Sequence, residues 1–115
     1  MAVKLNLEAF DHARQLLRER HVITDEHTAW HDHKPSPEQE EAFLHRHGVE
    51  EYAKWFLGID DSEEEIGKYK FPYGDFKNVH RCGVLAVESR ASEAQYYSIQ
   101  IAAAELHGMI DTGQG

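Results

Sequence analysis

Residues 70–82 read K-F-P-Y-G-D-F-K-N-V-H-R-C, and the fold turns on whether this stretch opens a helix or forms a reactive site. Pro72 disfavours helical geometry at Phe71, so the chain ahead of the Gly-Asp step is extended. There Tyr69, Phe71 and Tyr73 alternate with Lys68, Lys70 and Gly74, a period that buries one side of an extended segment and exposes the other. Asp75 then has the chemistry of an N-cap. The run F-K-N-V-H-R-C-G-V-L-A-V-E-S-R-A is expected to be helical to about Arg90, with Val79, Cys82, Gly83 and Ala86 on one flank. C-G-V-L-A-V admits a buried strand as well, since a short apolar run has no decisive period. With few other strand candidates in the chain, the helix is preferred.

Working outward, the other segments also read as helices. Asn6 caps a helix of about four turns whose stripe is Leu7, Phe10, Ala13, Leu17 and His21, with Leu5 and Phe10 placed as a hydrophobic staple. Residues 24–35 show no period and end in a proline, as a loop does. Ser36, Pro37, Gln39 and Gly48 supply an N-cap, a first-turn proline, a capping box and a stop, predicting a helix over 37–47. Val49, Tyr52, Ala53, Phe56 and Leu57 share one face of a short third helix ending near Gly58. Ser92 and Gln95 are the expected capping box of a last helix through S-I-Q-I-A-A-A-E-L-H-G. The expected fold is all-α: a single-domain bundle of four to five helices over residues 1–111, with an extended elbow at 68–74 and a flexible tail at 112–115.

The chain of 115 residues carries 21 acidic and 12 basic side chains, a net charge of −9. A field of that sign repels phosphate backbones, so no nucleic-acid partner is expected. No stretch approaches the roughly 20 apolar residues of a membrane span, and the N-terminal M-A-V-K-L-N-L-E-A-F lacks a signal-peptide core. One cysteine cannot make an internal disulfide, which fits a reducing compartment and a soluble, cytoplasmic protein without membrane association. Charge is uneven along the chain. Residues 36–65 hold ten acidic and two basic side chains, residues 66–90 two acidic and five basic. These halves should attract.

Three sites are candidates. Lys70, Lys77, His80 and Arg81 follow or flank a predicted helix N-terminus, where an anion or other ligand is favoured. His27 and His31 would share a helical face at i,i+4, and with His33 they could hold Zn²⁺ or Ni²⁺. No other cofactor is expected. Trp30, Phe71 and Tyr73 are candidates for docking a protein partner or a second copy of the chain. No residue is assigned a catalytic role: the chain has no G-x-S-x-G, Walker loop or H-E-x-x-H, and Cys82 within an apolar run reads as a small buried hydrophobe.

The segments W-x-x-H-x-P-S (Trp30, His33, Pro35, Ser36), W-x-L-G-I-D (Trp55 to Asp60), Y-K-F-P-Y-G-D-F-x-x-V-H-R-C (Tyr69 to Cys82), E-S-R-A and L-H-G-M resemble a family of small uncharacterised bacterial proteins, over nearly the whole chain. K-F-P followed by H-R is also similar to a short segment near the C-terminus of some phage head-maturation protease polypeptides. The first resemblance implies no activity; the second implies a structural or assembly role. The expected function is a non-catalytic protein-binding or assembly module. The alternatives are a metal-binding protein using His27, His31 and His33, or a small enzyme with His80 and Arg81 in its site.

Overall fold

The structure, a computed structural model, describes residues 3–113 and their side chains other than those of His27 and Glu65. Its architecture is mixed α/β, which overturns the all-α bundle. Strand β1 (Val3–Leu5) leads into helix α1 (Leu7–Arg18), then β2 (Val22–Ile23), a 3-10 turn at His27–Ala29, α2 (Trp30–His33), α3 (Pro37–His47) and α4 (Val49–Ala53). Strand β3 (Phe56–Asp60), a second 3-10 turn (Glu65–Lys68), β4 (Tyr69–Pro72), β5 (Val79–His80), α5 (Arg81–Ala94) and α6 (Tyr97–Thr112) complete it. Among the described residues no helix is long and apolar enough to cross a membrane.

Two sheets take up residues that were expected to be helical, shortening two of the expected helices. In the first, β3 is central and antiparallel to both neighbours: Val3 faces Asp60, Leu5 faces Gly58, Gly58 faces Lys70 and Phe56 faces Pro72. The segment read as an elbow at 68–74 thus supplies an outer strand. The third expected helix stops at Ala53, because Phe56, Leu57 and Gly58 are buried on both faces of a central strand, which erases the alternation that marks one. Gly58 is required there: a Cβ would stand 2.8 Å from the Phe71 ring and 3.3 Å from Ile99, where the sheet meets α6.

The second sheet is a two-residue parallel pair, Val22 beside Val79 and Ile23 beside His80. It explains why Asp75 does not start a helix. Its Oδ1 accepts from the N–H groups of Lys77 (3.0 Å) and Asn78 (2.7 Å), an Asx turn that reverses the chain, and Gly74 bridges Val79 across it. Phe76 sits at φ +68°, which ends any helical path. Helix α5 begins at Arg81, five residues later than expected.

Asn6, Ser36, Pro37, Gln39 and Gly48 occupy the cap positions read from the sequence, with Ser36 and Gln39 forming a reciprocal capping box. The buried face of α1 is Ala9, Ala13, Leu16 and Leu17, rotated from the expected stripe so that Leu7 is 66% exposed. Ser92 and Gln95 cap no helix start: Ser92 lies within α5, and Gln95 ends it in the left-handed region at φ +65°. Of the expected tail, Thr112 belongs to α6 and Gly113 is its C-cap, while Gln114 and Gly115 lie outside the described residues. The core gathers Leu17, Leu57, Tyr73, Val79, Val84, Ile99 and Leu106 between the sheets and the α5–α6 hairpin.

Candidate metal centre

The parallel β2–β5 pair sets up the site. It carries Asp25, two residues beyond Ile23, alongside His80 and the first turn of α5. Asp25 Oδ1 accepts from the Cys82 N–H at 2.8 Å, capping α5 from a distant segment, where the helix dipole also favours a carboxylate. Its Oδ2 receives two imidazoles, His33 Nδ1 at 2.6 Å and His80 Nδ1 at 2.7 Å. Cys82 Sγ lies 3.8 Å from His33 Nδ1. One carboxylate oxygen, two imidazole nitrogens and a sulfur therefore sit within 4.8 Å of one another.

Trp30, the first residue of α2, covers this cluster, its ring tilted over His80 at 6.2 Å between centroids. Gly83 admits it: a Cβ there would stand 2.9 Å from the indole and 2.6 Å from the Tyr73 carbonyl oxygen. The Asp25 and His80 side chains are 10% and 8% exposed and Cys82 is fully buried, whereas His33, at 40%, forms the solvent side.

Electrostatics follow from this enclosure. Burial works to raise the Asp25 pKa, but hydrogen bonds from the Cys82 backbone and from His80, Cys82 and His33 outweigh it and hold the carboxyl well below its usual range. Asp75 is likewise lowered against its burial, by the N–H groups of Asn78 and Lys77 and by His80. His80 stands between the two anions, with Nε2 at 2.9 Å from Asp75 Oδ2. Burial opposes its charge, yet the two carboxylates prevail and raise its pKa. Both ring nitrogens face ionised acceptors, so both donate. The Cys82 thiol is pushed up to about 12, by burial first and then by Asp25.

This geometry separates two chemistries. A Cys-His-Asp relay needs a thiolate and a histidine that uses one nitrogen on the thiol and the other on the carboxylate. Here the thiol is protonated and sealed, and His33 turns the same Nδ1 to both partners. Converging donors are instead what a metal ion requires. In a tetrahedral zinc site, sulfur and nitrogen ligands at about 2.3 and 2.1 Å stand roughly 3.5 Å apart, close to the 3.8 Å between Cys82 and His33. The 2.6 and 2.7 Å from Asp25 Oδ2 to the two imidazoles are hydrogen-bond distances that must open when an ion takes the place of the protons. The bond from His80 Nε2 to Asp75 supplies the carboxylate that commonly orients a ligating imidazole.

Only His33 of the expected metal trio joins the cluster. His31 is exposed on α2 and outside it, and the His27 side chain lies outside the described residues. The expected anion group is dispersed: Lys70 pairs with Glu63 at 2.7 Å, His80 is enclosed by carboxylates, and Arg81 places Nε 2.8 Å from Asp111 and Nη1 3.3 Å from the Asp25 carbonyl. Lys77 remains exposed beside the Asx turn. Nor do the docking candidates form a surface, since Trp30 and Tyr73 are buried and half-buried Phe71 packs edge-on against Tyr96 at 6.0 Å. Of the four clustered donors the sequence pointed to His33 alone as a metal candidate; Asp25, His80 and Cys82 were not expected in that role, and Asp25 is the hardest to foresee. Fifty-five residues separate it from His80, and the β-branched pair Val22-Ile23 is the one local sign of the strand that joins them.

No family model, curated protein or solved structure matches the chain.

Proposed function

We propose that the protein binds a transition-metal ion, zinc foremost, through Asp25, His33, His80 and Cys82. The observation that carries the reading is the convergence of four donor atoms of the right types within 4.8 Å, from three separate stretches of chain. A mixed N, O and S set suits Zn²⁺, and four protein donors leave no open position, as in structural rather than catalytic zinc sites. The ion would displace the protons on His33 Nδ1, on His80 Nδ1 and on the Cys82 thiol, leaving the His80 Nε2–H on Asp75. It would clamp residues 25–33 onto the start of α5. This role keeps the non-catalytic character expected from the sequence and replaces the expected ligands His27 and His31 with Asp25, His80 and Cys82.

Elemental analysis of protein purified without a histidine tag should find about one zinc per chain. Chelation should lower the melting temperature. Replacement by Co²⁺ should give a thiolate-to-metal charge-transfer band that Cys82→Ser abolishes, and His33→Ala, at the solvent side, should weaken zinc binding by about 100-fold or more. Protein that takes up no metal, or a cobalt spectrum indifferent to both substitutions, overturns the proposal.

A further inference from the structure

A second feature stands apart from the four donors. Between α3 and the Asx turn runs a groove of about 690 Å³, bordered by Phe43, Arg46, His47, Phe76 and Lys77. That volume falls in the range of small-molecule sites. Phe43 and Phe76 stack at 4.4 Å with 13° between their planes, and the His47 ring lies 4.4 Å from Phe43, tilted by 37°. Phe76 reaches this position from φ +68°, a conformation costly for an aromatic residue, and such strain concentrates at binding sites.

The charge at the groove is opposite to that of the molecule. Lys4, Lys54, Lys70 and Arg81 are all engaged with carboxylates. Arg46 and Lys77 have no carboxylate partner among the described residues. Asp75, which also borders the groove, pairs with neither of them: its Oδ1 is held by the turn and its Oδ2 by His80, so the three charged groups leave the border net positive. Arg18, Arg20, Lys34, Lys68 and Arg90 likewise have no carboxylate partner among the described residues; what sets Arg46 and Lys77 apart, in a chain of net charge −9, is that both border one groove beside a stack of aromatic rings.

We infer that this groove binds a small anion carrying a flat ring, the ring lying against Phe43 and Phe76 and the phosphate or carboxylate held by Arg46 and Lys77. Guanidinium and ammonium groups together suit either anion, and a planar ring matches the aromatic floor.

The test is titration of the full chain, followed by backbone amide shifts, with adenosine monophosphate and 1-naphthoate as probes and with adenosine and inorganic phosphate as controls. At least one probe should bind, with shifts centred on residues 43–47 and 75–78, and each control should bind at least tenfold more weakly than that probe. Preference for the nucleotide assigns a phosphate ester; preference for naphthoate assigns a carboxylate. Arg46→Ala and Lys77→Ala should each weaken binding about tenfold. Failure of both probes, or adenosine binding as well as its monophosphate, overturns the inference. Zinc analysis of the same samples is unaffected by either result.

Discussion

His12 shows how one side chain can make stability depend on pH without belonging to the candidate site. It lies in α1 with its ring edge-on to Trp55 at 5.2 Å, and its Nε2 is shut off from solvent without a hydrogen-bond partner among the described residues. Burial, and then the neighbouring Lys54, hold its pKa below the ordinary 6.5. The folded protein therefore takes up a proton at His12 less readily than the unfolded chain does. Above pH 6.5 both states are neutral there and the group is silent. As pH falls below 6.5 the unfolded state gains a proton first, so stability declines until the folded pKa is passed. His12→Phe keeps a ring against Trp55 and removes the stranded nitrogen. Urea unfolding at pH 7.5 should find it equal to the parent or up to about 1 kcal/mol more stable, since an unsatisfied buried polar atom costs on that order. Between pH 7.5 and 5.5 the variant should lose less stability than the parent. Parallel losses would show that His12 does not titrate as described.

At the scale of elements, two helices end the same way under residues that conceal it. After α1, the Arg20 N–H reaches the Leu17 carbonyl at 3.1 Å and the His21 N–H reaches that of Leu16 at 2.9 Å. After α5, the Gln95 and Tyr96 N–H groups reach Ser92 and Ala91 at 3.1 and 2.9 Å. Both are Schellman closures, which place one residue in the left-handed region, ordinarily glycine. Arg20 at φ +63° and Gln95 at φ +65° hold those positions instead, and both are exposed. Relieving a left-handed side chain gains about 1–2 kcal/mol, and the extra freedom of glycine in the unfolded chain returns about half of it. Arg20→Gly and Gln95→Gly should each stabilise by roughly 0.5–1 kcal/mol, raising the melting temperature by several degrees. A fall in melting temperature for both would refute the assignment.

The same two positions show what was legible in the sequence. Where a helix boundary uses side-chain chemistry, as at Asn6 and across Ser36 and Gln39, its residues announce it. Where the boundary is a backbone conformation held by tertiary contacts, arginine and glutamine give no sign, and Gln95 passes for part of a capping box. The strands were hidden for a related reason. The five residues of β3 are almost wholly buried and carry no alternation, while β1 alternates over only three residues and pairs with β3 more than fifty residues away. Cys82 as a buried thiol was legible from its apolar neighbours. Its meeting with Asp25 and His33 was not, because a two-residue parallel pairing creates it.

For the whole molecule, charge decides more through its total than through its pattern along the chain. The acidic 36–65 and basic 66–90 stretches do lie together as β3 and β4, but hydrophobic burial and the strand ladder join them, and Glu63 with Lys70 is their one ion pair among the described residues. Exposed pairs such as Lys4–Asp61 contribute about 0–1 kcal/mol each, and salt weakens them. Against that small loss stands repulsion within a molecule that has 21 acidic and 12 basic side chains and a radius of gyration of 13.0 Å. The charges are held closer together folded than unfolded, so their repulsion favours unfolding. Salt at about 0.5 M shortens the screening length to only a few ångströms and removes most of that term. At pH 7.5 the melting temperature should therefore rise with NaCl between low salt and 0.5 M, by several degrees for about 1 kcal/mol of relieved repulsion. Substituting Lys for exposed Glu residues on α3, away from every ion pair described, should flatten the dependence as net charge approaches zero. A melting temperature that falls with salt would mean that the surface pairs outweigh the excess charge, and the balance drawn here would be reversed.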